Sequence, residues 1–129
     1  MKKTLSIIAV ALALYLLTAP AGAANTVTSN NGSVEISAID SDWSWSDTFS
    51  NVSSGMRLIS IRFNPGAADD RCIVKNGSDT ATVLFDSGKC TDEYDARIEY
   101  YFRAIRRPVL DFNVGTYSAG SKVTLEFDY

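Results

Sequence analysis

The chain has 129 residues, with 12 Lys+Arg against 15 Asp+Glu, no histidine and two cysteines. A chain of this length holds one domain. The missing histidine excludes Ser-His-Asp and Cys-His nucleophile systems, imidazole bases and histidine-ligated metals, while a net charge of −3 lacks the basic stripe of a nucleic-acid binder.

Lys2 and Lys3 precede an unbroken apolar run from Ile7 to Leu17, followed by Pro20 and the small-x-small triplet Ala21-Gly22-Ala23. These three parts predict a secretory signal peptide over residues 1–23, cut after Ala23. The run is shorter than the roughly 20 apolar residues that a spanning helix needs, so the cleaved chain is expected not to be an integral membrane protein. No cysteine lies near the cut and no paired arginine precedes the run, which points to the general secretory route without a lipid anchor. The expected destination is the periplasm or the extracellular space of a bacterial host. Residues 24–129 then form a single domain, more acidic by the loss of two lysines.

Asn25 to Ser33 is polar and contains Asn30-Asn31-Gly32, which reads as a flexible lead-in or first turn. From Val34 the polarity alternates with period two. Val34, Ile36 and Ala38 share one face, and Trp43 and Trp45 share another with Ser44 and Ser46 between. A turn over Asn51 to Gly55 leads to a strand from Met56 to Phe63, with Ile59, Ile61 and Phe63 on its apolar face. Asn64-Pro65-Gly66 ends it, because proline cannot extend a ladder and glycine permits the reversal.

Cys72 to Val74 and Thr82 to Phe85 read as a hairpin across Asn76-Gly77-Ser78-Asp79, and Asp86-Ser87-Gly88 as a further turn. Arg97 to Phe102 places Ile98, Tyr100 and Phe102 on one face and Arg97, Glu99 and Tyr101 on the other. Part of the spacing between Asp92 and Arg106 is also helical, but β-branched and aromatic content together with Pro108 favours strand. Ile105 to Phe112 is a strand that Pro108 would restrict to a sheet edge. Gly115 and Gly120 bracket a turn before the cleanest alternation, Val123, Leu125, Phe127 and Tyr129 against Lys122, Thr124, Glu126 and Asp128. About eight short strands separated by Gly, Asn and Asp turns predict an all-β fold, an antiparallel β-sandwich or jelly roll.

Two cysteines in an exported chain predict one disulfide, Cys72 to Cys90, without the Cys-x-x-Cys spacing of a redox pair. Asp86, Asp92, Glu93 and Asp95 form the better of two carboxylate groupings and the candidate calcium ligands, though turn-forming aspartates explain them without a metal and the spacing is not that of a calcium loop. Trp43 and Trp45 are either core residues, the reading their serine neighbours favour, or a stacking platform for sugar. Arg97, Arg103, Arg106 and Arg107, interleaved with aromatics, are either an anion-binding patch or a strand edge kept soluble by charge. Carboxylate-based glycoside hydrolysis needs only two suitably spaced acids, which any acidic chain offers, so no catalytic residue is assigned.

Gly115 to Ser118 followed by Val123 to Tyr129 resembles the closing strand of exported pilus and spore-coat-type subunits, which a chaperone and usher assemble. The chain lacks the cysteine that such subunits carry in their first strand. The same alternation resembles the last strand of outer-membrane barrels, yet strands of this length fall short of the 9–11 residues a barrel strand needs. The expectation is therefore a non-catalytic exported domain that binds a protein or glycan partner, with no cofactor. A structural subunit of an envelope or fibre assembly, and so a homo-oligomer, is the alternative, followed by a glycan-binding module or a hydrolase.

Overall fold

The computed structural model describes residues 25–49, 57–78, 80–104 and 106–128, the side chains of residues 103 and 104 excepted. The predicted signal peptide and the predicted turn from Asn51 to Gly55 lie outside the described residues. Among the described residues nine strands and one helical turn follow in order: β1 (Thr26–Asn30), β2 (Ser33–Ser37), β3 (Trp43–Ser44), α1 (Trp45–Thr48), β4 (Arg57–Asn64), β5 (Ile73–Asn76), β6 (Val83–Asp86), β7 (Arg97–Ala104), β8 (Pro108–Leu110) and β9 (Lys122–Asp128). They form two antiparallel sheets, ordered β1-β2-β9-β4-β7 and β3-β8-β5-β6.

The pairing is nested. β2 pairs with β9, β3 with β8, β4 with β7 and β5 with β6, so early strands meet late ones in mirror order. Folding that double ribbon over places the first and third pairs in one sheet and the second and fourth in the other, which is the strand order of a jelly roll. β1 adds an outer strand beside β2.

The inner faces of both sheets close on one apolar core. Val34 and Ile36 of β2, and Val123, Leu125 and Phe127 of β9, meet Trp43, Val74, Phe85 and Leu110 from the other sheet. Alternation in β9 matches the sequence reading throughout its described length. β4 departs from it. A register shift between Leu58 and Ser60 makes a bulge, so Leu58, Ile61 and Phe63 are buried while Ile59 is only half-buried. The extra residue at the bulge moves the phase of the strand by one, which period-two reading cannot anticipate.

Three further elements differ from expectation. Thr26–Asn30 is a strand, and only the following residues make the turn, with Gly32 at φ 86°. Trp43 and Trp45 do not share a strand, because the chain turns into α1 after Ser44, whose backbone N–H donates to Asp47 Oδ2 at 2.7 Å. Pro108 lies in β8, an interior strand. It is tolerated there as the first residue, since two-residue β3 pairs only with Val109 and Leu110 and asks nothing of the missing N–H.

The predicted disulfide is also corrected: Cys72 and Cys90 are free, buried thiols. Burial pushes both thiols up from their ordinary value, Cys72 far up, which leaves little of the thiolate that disulfide exchange requires.

Candidate functional site

Strands of the five-stranded sheet turn their alternate side chains away from the core, and register fixes which of these become neighbours. Ser33 of β2, Glu126 of β9, Ser60 of β4 and Tyr100 of β7 stand in one row across four strands. Glu35, Thr124, Arg62 and Ile98 form the next row. Together with Asn64, which faces Lys122, these rows, Ser33 excepted, line a concavity of about 330 Å³ on the outer face of the sheet.

The floor of this groove is ordered by its own hydrogen bonds. Ser60 is buried and donates from its hydroxyl to Glu126 Oε2 at 2.7 Å, which holds one carboxylate oxygen toward the bulge. Lys122 Nζ lies 3.3 Å from Glu35 Oε1. Both carboxylates and the Arg62 guanidinium are planar groups able to meet two hydrogen-bonding atoms of a ligand at once. The lining thus holds two carboxylates and one guanidinium, with Lys122 beside it paired to Glu35.

β7 supplies the apolar wall, for a reason that lies on its other face. Tyr101 points inward and donates its hydroxyl to the Leu84 carbonyl of β6 at 2.7 Å. Alternation then sends Ile98 and Tyr100 outward, Tyr100 with 60% of its surface exposed. Phe102 has φ 48° beside the register irregularity between β4 and β7 and is 95% exposed, just beyond the groove. The two faces of β7 were legible from sequence, but the apolar one is the face turned to solvent.

The residues singled out from sequence are not brought together in this groove. Trp43 is buried, 2% exposed, with its indole N–H donating to Thr48 Oγ1 at 3.1 Å. Trp45 is half-buried against the core with the Arg107 guanidinium 5.5 Å over its ring, so the two indoles offer no shared stacking face. Of the four arginines, Arg97 is paired with Asp95 at 2.6 Å, Arg107 covers Trp45, Arg106 is exposed, and the side chain of Arg103 lies outside the described residues.

The candidate calcium ligands serve local partners. Asp86 takes a two-pronged contact from Arg71, at 2.9 and 2.5 Å, and the Gly88 N–H. That arginine holds the Asp86 carboxyl below its ordinary value. Asp92 accepts from the Tyr94 N–H, and Asp95 from the Thr91 N–H and Arg97, while Glu93 is exposed. Among the described residues no group of three or more His, Cys, Asp or Glu is placed to hold a metal ion.

Two buried carboxylates outside the candidate calcium ligands are structural. Asp70 accepts five hydrogen bonds, from the Gly66, Ala67 and Ser118 amides and the Ser118 and Ser121 hydroxyls. Burial alone would push its carboxyl up, but the hydroxyls of Ser121 and Ser118 and the amides of Gly66 and Ser118 outweigh it and hold the group below its ordinary value. Asp111 pairs with Lys75 at 2.6 Å and caps the turn after β8 through the Asn113 and Val114 amides. The signal for Asp70 was Asp69-Asp70 beside a proline-glycine reversal, where a carboxylate able to cap free amides has an obvious use.

No protein family, no curated protein and no solved structure matches this chain. Among the described residues no helix is long and apolar enough to cross a membrane.

Proposed function

We propose that this is an exported, non-catalytic domain that acts by binding, through the outer face of its five-stranded sheet. One observation carries the reading: the groove there joins ordered polar side chains from β2, β9 and β4 to the exposed Ile98 and Tyr100 of β7. Ligand sites combine a concave surface and apolar contact area with a few fixed polar groups. The N-terminal Lys2-Lys3, apolar run and Ala21-Gly22-Ala23 support export. No cofactor is part of the proposal. The test is nuclear magnetic resonance of the ¹⁵N-labelled protein against a mixed library of saccharides, peptides and small anions. Amide shifts gathered on β2, β9, β4 and β7 support the proposal, and shifts gathered elsewhere or none at all overturn it.

A second reading, a subunit that assembles with itself, is favoured by one feature. β7 is an edge strand of eight residues that exposes Phe102 beside Tyr100. It stands second because the irregularity in β7 breaks the edge, a common means of discouraging strand addition. It stands second also because β9, the strand that resembles a pilus-subunit ending, already has β2 and β4 on its two sides. Sedimentation velocity over a concentration series checks this reading: a monomer throughout removes it, and association abolished by Phe102→Glu supports it.

A further inference from the structure

We infer that the groove takes a neutral saccharide, stacked on Tyr100 and held through its hydroxyls by the carboxylate, guanidinium and amide groups of the sheet face; this rests on the binding reading above. Three features of the groove carry the inference. The first is charge. The lining carries Glu35, Glu126 and Arg62, and Lys122 beside it pairs with Glu35, so neither a polyanion nor a cation gains a strong net field on entering.

The second is the kind of polar group on offer. The groove crosses β2, β9, β4 and β7, whose ladders already occupy the main-chain groups between these strands. An extended peptide recognised by main-chain pairing needs a free strand edge; the floor over β2, β9 and β4 presents none, and the outer edge of β7 is broken by its register irregularity. Recognition must therefore run through side chains, and besides the Ser60 and Thr124 hydroxyls the polar ones present are planar and two-pronged: Glu35, Glu126, Arg62 and Asn64. Adjacent hydroxyls on a sugar ring match that geometry, each able to donate to a carboxylate and accept from a guanidinium or amide. Ser60 fixes Glu126 in advance, so less side-chain freedom is lost on binding.

The third is the wall. A pyranose has an apolar face of C–H groups as well as its hydroxyl rim, and it buries that face against an aromatic ring. Tyr100 is 60% exposed at the end of the row that contains Glu126 and Ser60, with Ile98 beside it. From β2 to β7 the rows span three strand intervals, about 14 Å, which suits a short oligosaccharide lying across the strands.

The experiment titrates the purified protein with neutral gluco-, manno- and xylo-oligosaccharides, with oligogalacturonate as the anionic control and a polar hexapeptide as the peptide control. Calorimetry gives affinity and ¹⁵N amide shifts give location. The expected result is binding of at least one neutral saccharide with shifts on Ile98, Tyr100 and Thr124. Tyr100→Ala weakens it about tenfold, while Tyr100→Phe retains it because the ring does the stacking. Tyr94→Ala, on the exposed loop before β7, leaves it unchanged. Circular dichroism melts of each variant separate lost binding from lost folding. If oligogalacturonate or the peptide shifts the groove and the neutral saccharides do not, the saccharide inference fails and the binding face stands. If no ligand of any class shifts the groove, both fail. Saccharide binding that Tyr100→Ala does not weaken also overturns the inference.

Discussion

The hydroxyl of Tyr101 on β7 donates to the backbone carbonyl of Leu84 on β6 at 2.7 Å, tying the edge of one sheet to the edge of the other. Burial pushes the Tyr101 phenol up from its ordinary value, which keeps it a neutral donor. Because neighbouring side chains on a strand point to opposite faces, this contact also decides that Tyr100 faces the groove. A side chain in the core thus sets the aromatic wall of the outer surface.

Removing that hydroxyl should loosen the link between the sheets. Tyr101→Phe is expected to cost about 1 kcal/mol in urea unfolding. Tyr100→Phe, at an exposed position, should stay within about 0.5 kcal/mol of the parent. Equal effects from the two would mean that the Leu84 contact contributes nothing to stability.

Asp70 ties the loop that follows β4 to the loop before β9. Asp70→Ala leaves several amides and two serine hydroxyls without their acceptor, and a loss on the order of 3 kcal/mol is expected. The sign of its pH dependence follows from its lowered pKa. A carboxylate depressed in the folded state stabilises above its ordinary value of 3.8 and loses that contribution as pH falls through the folded value. Acid denaturation curves of parent and Asp70→Asn should therefore converge below about pH 3.8 and separate above it. Curves that stay parallel through that range would show that Asp70 does not titrate with unfolding.

Gly66 lies under the backbone of the loop that Asp70 anchors. A Cβ there would meet the Ala119 carbonyl oxygen and the Ser121 amide, both main-chain atoms that cannot swing aside. Gly66→Ala should cost about 1–3 kcal/mol through the forced backbone shift. Gly77→Ala meets nothing around its Cβ and pays only for its φ of +94°, so it should be the milder change. The ordering of the two melting temperatures checks the close approach.

Thiol chemistry gives a direct reading of the core. In the folded protein both cysteines should resist a charged disulfide reagent, being buried with raised pKa values. In guanidinium both should react without prior reduction. Mass spectrometry after alkylation should then find two labelled cysteines, and an unlabelled, oxidised pair would contradict the free thiols.

The sequence by itself determined what depends on near neighbours. Alternation in Lys122–Asp128 set the wet and dry faces of β9, Asn76-Gly77 marked the β5–β6 hairpin, and glycines at 32, 88 and 120 took the positive φ of their turns. Each is a local signal, because strand polarity has a period of two and turn conformation is set by the residue that adopts it. Only the tertiary structure decided which strands lie side by side. Ser60 and Glu126 are 66 residues apart in sequence, and no local pattern announces that they meet. The bulge that puts Leu58 in place of Ile59 on the core side of β4, the free and buried state of Cys72 and Cys90, and the outward turn of Tyr100 belong to the same class. The length, charge and missing histidine narrowed the chemistry from the outset. The groove itself came from jelly-roll pairing, which lays four distant strands edge to edge and turns their unneeded faces into one surface.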